Sequence, residues 1–412
     1  MKKIMILGAG IYQVPLIKAA QDMGLYTIVA SIPGEYPGFA LADQVCTINT
    51  TDQQEILKVC LRENIQAICT TGTDVAVSTI GYVCQHMGLP GISLSAARNV
   101  TDKAQMKAAF ERGHVSASRF RQVNTLEKAR KAASEIGYPV VVKRVDSSGS
   151  RGITVVKDPE YLAAAFDSAL SGSRRDYVLV EEKLHGMEVG ADGLIQNGEI
   201  VFFVPHGKSV YHTGTIDVPA GHSLPWQGSP VLSEEIRRQL NAAVQALGLD
   251  NCPFNADLFV DPDTAKVWII EIGGRTGATC IPELISMYYG FDYYEKILKN
   301  ALGEPLSLSS VPHGSPCRAM LLMSPFEGRI TSVDQDILHE LTDQGITVTL
   351  DYPVGHPVEK MENGTCRFGH VIFPVHQPGE TDRILRKLYS SIHIDEKPLS
   401  WDHNIKPHIG DA

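Results

Sequence analysis

The first hundred residues alternate short apolar runs with helical patterns, and no other feature narrows the fold so much. The runs Ile4 to Leu7, Thr27 to Ala30 and Ala67 to Cys69 are each followed by an amphipathic stretch, at Val14 to Met23, Gln53 to Glu63 and Ala76 to Met87. Strands alternating with helices imply a parallel sheet covered on both faces. The turn after the first strand is Gly8-Ala9-Gly10-Ile11-Tyr12-Gln13, with two glycines of a dinucleotide fingerprint and Gln13 where the third belongs. No acidic residue follows the second strand, which ends Ile28-Val29-Ala30-Ser31. A tight strand-to-helix turn is therefore expected, and an NAD(P)-dependent oxidoreductase is the disfavoured reading from another class.

At 412 residues the chain is long enough for two to four domains. Hydrophobic residues make up 43% and charged residues 20%, a globular balance rather than a disordered or coiled-coil one. Lysine plus arginine minus aspartate plus glutamate is 37 − 47 = −10, which argues against broad attraction to nucleic acid or anionic lipid. Any phosphate recognition must then be local. No apolar stretch approaches the roughly 18 residues that span a bilayer. The eight cysteines form no CxxC pair and fit a reducing cytoplasm.

Near residue 100 the pattern changes. Thr101 is the expected cap of a helix from Asp102 to Arg112 that stops at Gly113. Lys107 reads as an ordinary solvated lysine. Lys103 is odder, because a cation in a first helical turn opposes the macrodipole and calls for an anion beside it. The strand Tyr138 to Lys143 ends in a lysine and leads through Asp146-Ser147-Ser148-Gly149-Ser150-Arg151-Gly152 to a second strand, Ile153 to Val156. Such a small-residue loop leaves backbone N–H groups free for phosphate oxygens, although a plain hairpin turn accounts for it equally well. Walker A is excluded, since GxxxxGK[ST] does not occur. The strand Tyr177 to Glu182 ends in carboxylates, and Gly186-Met187-Glu188-Val189 opens another.

The most informative stretch is Phe254 to Val260, the turn Asp261-Pro262-Asp263-Thr264, and Val267 to Ile272, a hairpin with strong turn chemistry. A turn centred near Thr264 sets Asp257 opposite Glu271, with Cβ atoms about 5 Å apart, where like charges destabilise a sheet. Such a pair needs a cation or a shared proton. Mg²⁺ suits it, being held by one or two carboxylates plus nucleotide phosphates; two separately salt-bridged strand ends are the plainer alternative. Gly273-Gly274-Arg275-Thr276-Gly277 follows and presents one guanidinium beside the pair.

Taken in order, these elements resemble the ATP-grasp superfamily, and the resemblance covers essentially the whole chain. It implies an α/β and α+β multidomain fold: a Rossmann-like domain over 1–100, an ATP-grasp domain over 101–310 with a mobile lid near 115–182, and a C-terminal α+β domain over 311–412. The last, with Phe368-Gly369-His370-Val371-Ile372 and a helix near Asp382 to Ser391, is similar to the biotin-carboxylase-like and L-amino-acid-ligase-like branches. Carried over residue by residue, the resemblance implies that Lys103 and Lys143 contact ATP phosphates under the Ser147, Ser148, Gly149 and Gly152 loop. Glu181, Glu182, Lys183 and Leu184 would meet adenine through their backbone, and Glu188 the ribose. Asp257 and Glu271 would hold Mg²⁺, or Mn²⁺ in its place, and Arg275 with Lys143 would stabilise the transferred phosphoryl group. Many members carry an asparagine two residues after the second metal-binding glutamate; this chain has Gly273.

The chemistry implied is carboxylate activation by ATP to an acyl phosphate, then attack by an amine, with small-molecule substrates, amino acids among them. Gly221-His222 followed by Pro225 is similar to a segment of amino-acid ligases, so His222 and Arg275 are the candidate substrate contacts, with a structural loop histidine as the alternative. Cys280 reads as a packed thiol. Phosphoribosylamine-glycine-ligase-like or biotin-carboxylase-like chemistry is the near alternative, and a non-catalytic nucleotide-binding regulator a further one. The oligomeric state stays open, a homodimer included.

Overall fold

The apolar runs at the start of the chain pair as a parallel sheet in the computed structural model, which describes residues 1–146, 152–212, 217–308, 311–362, 366–401 and 405–407. Contacts divide the chain into two units. The first comprises Met1–Val204, Gly228–Thr276 and Tyr294–Leu308; the second comprises Pro205–Gln227, Gly277–Tyr293 and the described residues from 311 onward.

The first unit begins β1 (Lys3–Leu7), α1 (Val14–Asp22), β2 (Tyr26–Ser31), β3 (Gln44–Thr47), α2 (Gln53–Glu63), β4 (Ala67–Cys69), α3 (Val77–Met87), α4 (Leu94–Thr101) and α5 (Lys103–Arg112). The sheet order is β3-β2-β1-β4, all parallel. Of these elements β3 and α4 are short, four and eight residues, and carry too little periodicity to stand out in the sequence. Because β1 has β2 on one side and β4 on the other, the strand order reverses there, and a crevice opens at the carboxyl ends of β1 and β4. Gln13 closes part of it. Its Oε1 accepts from the Gly10 amide at 3.0 Å and its Nε2 donates to the Thr71 carbonyl at 2.5 Å. A Cβ on Gly8, whose φ is +100°, would lie 2.8 Å from that same Oε1. The glutamine thus occupies a turn amide that a dinucleotide phosphate would require.

The cap of α5 is Asp102, not Thr101. Asp102 Oδ1 accepts from the Ala104 and Gln105 amides at 2.9 and 3.2 Å, whereas Thr101 ends α4 and its hydroxyl donates back to the Ala97 carbonyl at 2.8 Å. A carboxylate satisfies two orphan donors and complements the dipole, which a hydroxyl does less well.

Next comes an antiparallel sheet of Phe120–Val123, Val178–Glu182, Val140–Lys143 and Ile153–Val156, in that spatial order. Helices Leu126–Ile136 and Leu162–Ser171 contribute Ala129, Ala133, Ala165 and Phe166 to a shared core with Val140, Val142, Val178 and Val180. Each such valine contributes about 1.5–3 kcal/mol by burial.

The hairpin strands are Cys252–Asp261 and Lys266–Gly273, and the first also pairs with Met187–Gln196. Along Cys252–Asp261 burial alternates, with Phe254, Ala256, Leu258 and Val260 in the core and Asn255, Asp257 and Phe259 on the other face. Register runs from Asp261 opposite Lys266 to Leu258 opposite Ile269, which centres the turn between Asp263 and Thr264 rather than near Thr264. A bulge then absorbs one residue, and Asp257 faces Glu271 after all. Without it Asp257 would face Ile270.

In the second unit the strands Asp217–Leu224, Cys317–Leu322, Gly369–Pro374 and Thr347–Leu350 are antiparallel neighbours in that order. Val371 and Phe373 pack with Leu385 and Leu388 of the helix Glu380–Ser390. All eight cysteines are free and buried. Among the described residues no helix is long and apolar enough to cross a membrane.

Candidate functional site

Cross-strand neighbours share a face, so register places Glu188, Gly190 and Asp192 beside Phe259, Asp257 and Asn255, and Glu271 beside Asp257. Onto this face comes Lys103 from the first turn of α5, its Nζ 3.0 Å from Glu271 Oε2. Glu271 is the anion that Lys103 requires against the helix dipole. Burial works against both charges, and the pairing outweighs it. Glu271, with Asp74 and Glu181 behind it, holds the Lys103 ammonium above the usual lysine value; Lys103, then Lys143 and Arg275, hold the Glu271 carboxyl well below the usual range.

A second charge group lies along α5. Lys107 is not solvated: it is 2% exposed, with Nζ donating to Ser118 Oγ at 2.9 Å and 3.6 Å from Glu181 Oε2. Ser118 donates to the same Oε2 at 2.7 Å, and Lys143 Nζ sits 2.8 Å from Oε1. Burial lowers Lys107 to about 8 although Glu181 opposes the shift, while Lys107 and Lys143 overcome burial to keep Glu181 ionised. The Glu181 side chain is therefore spent on two lysines and a serine.

The third group centres on Arg275. Its NH2 donates to Asp74 Oδ2 at 2.7 Å and its NH1 to Asn255 Oδ1 at 3.0 Å; Asn255 Nδ2 in turn donates to Asp192 Oδ2 at 2.7 Å, and Thr276 Oγ1 to Asp192 Oδ1 at 3.1 Å. Burial again opposes the Arg275 charge, and Asp74 outweighs it. Asp74, Asn255 and Asp192 were not among the residues expected from sequence. Asn255 had a signal, lying two residues before Asp257 and so on its face. Asp74 had none, because 201 residues separate it from Arg275. Gly273 also finds a reason: a Cβ there would lie 3.0 Å from Asp74 Oδ1, so the missing side chain leaves room for the Asp74–Arg275 pair. Lys103, Glu271, Arg275, Asp74, Arg174 and Arg175 line one cavity of about 450 Å³.

Of the other expected residues, Ser147, Ser148 and Gly149 lie outside the described residues, as do 213–216 of the stretch around His222. Gly152 is described, with φ +69°, and its missing Cβ leaves room for the Arg144 side chain. Glu182 pairs with Arg119 at 3.1 Å, and Lys183 and Leu184 follow it half-buried. His222 is in the second unit, with its ring 4.6 Å from that of His206; burial, then His206, keep it neutral. Burial, then Glu283, push the Cys280 thiol far above its usual value, which removes it as a nucleophile. Among the described residues no three His, Cys, Asp or Glu side chains form a metal-ready cluster.

Residues 101–309 match the family described as carbamoyl-phosphate synthase L chain, ATP binding domain. The chain is 28% identical over 384 residues to the formate-dependent phosphoribosylglycinamide formyltransferase of Parasynechococcus marenigrum (strain WH8102), covering 90% of this chain and 94% of that one. It is 26% identical over 272 residues to the alanine–anticapsin ligase of Bacillus subtilis, over 60% of this chain and 56% of the relative. The crystal structure of phosphoribosylglycinamide synthetase from Anaerococcus prevotii superposes with a TM-score of 0.79 at 28% identity, over 96% of this chain and 100% of that one.

Proposed function

The chain belongs to the family of the carbamoyl-phosphate synthase L chain ATP-binding domain and has an ATP-grasp fold, and from that premise we propose that it joins a small carboxylate to an amine at the expense of ATP. The carboxylate oxygen attacks the γ-phosphorus, ADP leaves, an amine attacks the acyl carbon and phosphate departs. Such phosphoryl transfer asks mainly for positioning and charge neutralisation. The observation that carries the reading is the meeting of Lys103, Glu271 and Arg275 on one cavity, with Asp257 opposite Glu271.

In this reading Lys103 and Lys143 face the phosphates beneath the Ser147, Ser148, Gly149 and Gly152 loop. The backbone of Glu181, Glu182, Lys183 and Leu184 receives adenine, and Glu188 the ribose. Two facing carboxylates fit Mg²⁺ or Mn²⁺, which needs only one or two from the protein when phosphates complete its shell. The metal, when bound at Asp257 and Glu271, neutralises phosphate charge. Arg275 steadies the transferring group, and His222 is a candidate substrate contact. Eight buried thiols suit a reducing cytoplasm.

The relatives leave two substrate classes in view. Formate with a phosphoribosylglycinamide acceptor follows from the relative matched over nearly the whole chain, and amino acids from the alanine–anticapsin ligase. Both are carboxylate–amine joining. ADP release should be measured with Mg²⁺ over formate, acetate and amino acids, each offered with amines. Release that depends on both partners is expected; no release with any pair overturns the reading.

A further inference from the structure

Asp74 stands in the loop after β4, at the crevice where the parallel sheet reverses its strand order. The neighbouring loop after β1 is filled by Gln13, so Asp74 is the charged group left at that crevice on the β4 side. Its two oxygens have different surroundings. Oδ2 accepts from Arg275 NH2 at 2.7 Å; Oδ1 takes no hydrogen bond from the described residues and lies against the space that Gly273 leaves by having no side chain. The Asp74 side chain is 29% exposed, on the wall of the cavity that also holds Lys103 and Arg275.

A carboxylate on a cavity wall, held beside a guanidinium, is the complement of a zwitterion. An α-amino acid carries its ammonium and carboxylate on one carbon, so the two groups reach neighbouring counter-charges together. Entry of such a molecule adds no net charge to the cavity, which keeps the desolvation cost lower than for a bare anion. Val100 and Met106 give the same cavity an apolar portion for a side chain.

We propose that Asp74 is an ammonium subsite, its Oδ1 binding the α-amino group of the carboxylate substrate, so that the acid activated by ATP is an α-amino acid rather than formate or a simple fatty acid. This rests on the ligase reading above. The Arg275 side of the pair faces the substrate carboxylate. Gly273 is then a specificity determinant, because a larger residue would crowd the oxygen that receives the ammonium.

The experiment uses the full chain with Mg-ATP and hydroxylamine as the amine, so that the acceptor is the same throughout, and compares L-alanine, propionate and formate by kcat/KM for ADP release. Alanine and propionate differ in the amino group alone. The wild type is expected to favour alanine over propionate by about ten- to a hundredfold, the range of a hydrogen bond to a charged group. Asp74→Asn keeps an acceptor for Arg275 but loses the charge, and the alanine-to-propionate ratio should fall toward one. Titration calorimetry of alanine and propionate, with a non-hydrolysable ATP analogue present, provides a second readout that needs no turnover. A wild type without preference for alanine, or an Asp74→Asn protein that retains it, overturns the subsite. Failure of every acid to release ADP overturns the ligase reading instead, and calorimetry alone then decides whether Asp74 selects the ammonium.

Discussion

In the first unit Lys103 and Glu271 meet 3.0 Å apart on the wall of a cavity; in the second, Arg367 forks onto Asp351 at 2.7 and 2.9 Å, the two side chains 4% and 3% exposed. Both units bury opposite charges, yet with different consequences. The Arg367 fork is matched to a carboxylate in bidentate geometry and supported by His370 Nδ1, 3.0 Å from its NH2. So deeply buried a pair offers almost no surface to a ligand. Around the cavity each ion pair holds one atom of a larger set: Glu271 has Asp257 opposite it, Asp74 has a second oxygen, and Lys143 shares Glu181 with Lys107. Buried charge is therefore a poor marker of function by itself. An incomplete pair on an accessible wall is a better one.

The largest test of this contrast is Asp351→Asn. It leaves Arg367 buried without its counter-charge and should cost about 3–5 kcal/mol of stability by denaturant unfolding, with ADP release per folded molecule much less affected. Loss of ADP release without loss of stability would put the closed pair in the reaction and break the contrast. Glu271→Gln is the converse, expected to lower kcat/KM for ATP by about a hundredfold or more, as removal of transition-state charge stabilisation does. The unfolding midpoint should move less than in Asp351→Asn.

The remaining test is in pH. Burial, then Arg367, lower His370 to about 4 although Asp351 opposes the shift. Since the folded value lies below the unfolded one near 6.5, the unfolded chain binds the extra proton first. Stability is full above that unfolded value and declines as pH falls toward 4, by up to about 3 kcal/mol. His370→Gln should flatten that window, seen as a smaller difference between unfolding midpoints at pH 7 and pH 5.

Much of the site is legible in the sequence because its chemistry is local. The need of Lys103 for an anion follows from helix polarity, and the facing of Asp257 and Glu271 follows from a hairpin whose turn residues stand in the sequence. The observed turn centre lies half a residue from Thr264, and the bulge beside Glu271 compensates for the difference. Lys107 looks solvated in the sequence because four-residue spacing gives a shared face, not its burial; Ser118 and Glu181 meet it from 11 and 74 residues away.

What the sequence determined by itself is the alternation of strands and helices at its start, the family and the residue types that carry phosphate chemistry, since all three are written in periodicity and in ordered short motifs. Tertiary structure alone decided which charges meet. Asp74 reaches Arg275 across 201 residues, Gly273 is small because that carboxylate stands against it, and Gln13 occupies a turn that would otherwise look free for a dinucleotide. The reason is physical: a side chain's charge state and availability depend on its neighbours in space, and no one-dimensional spacing rule reports them.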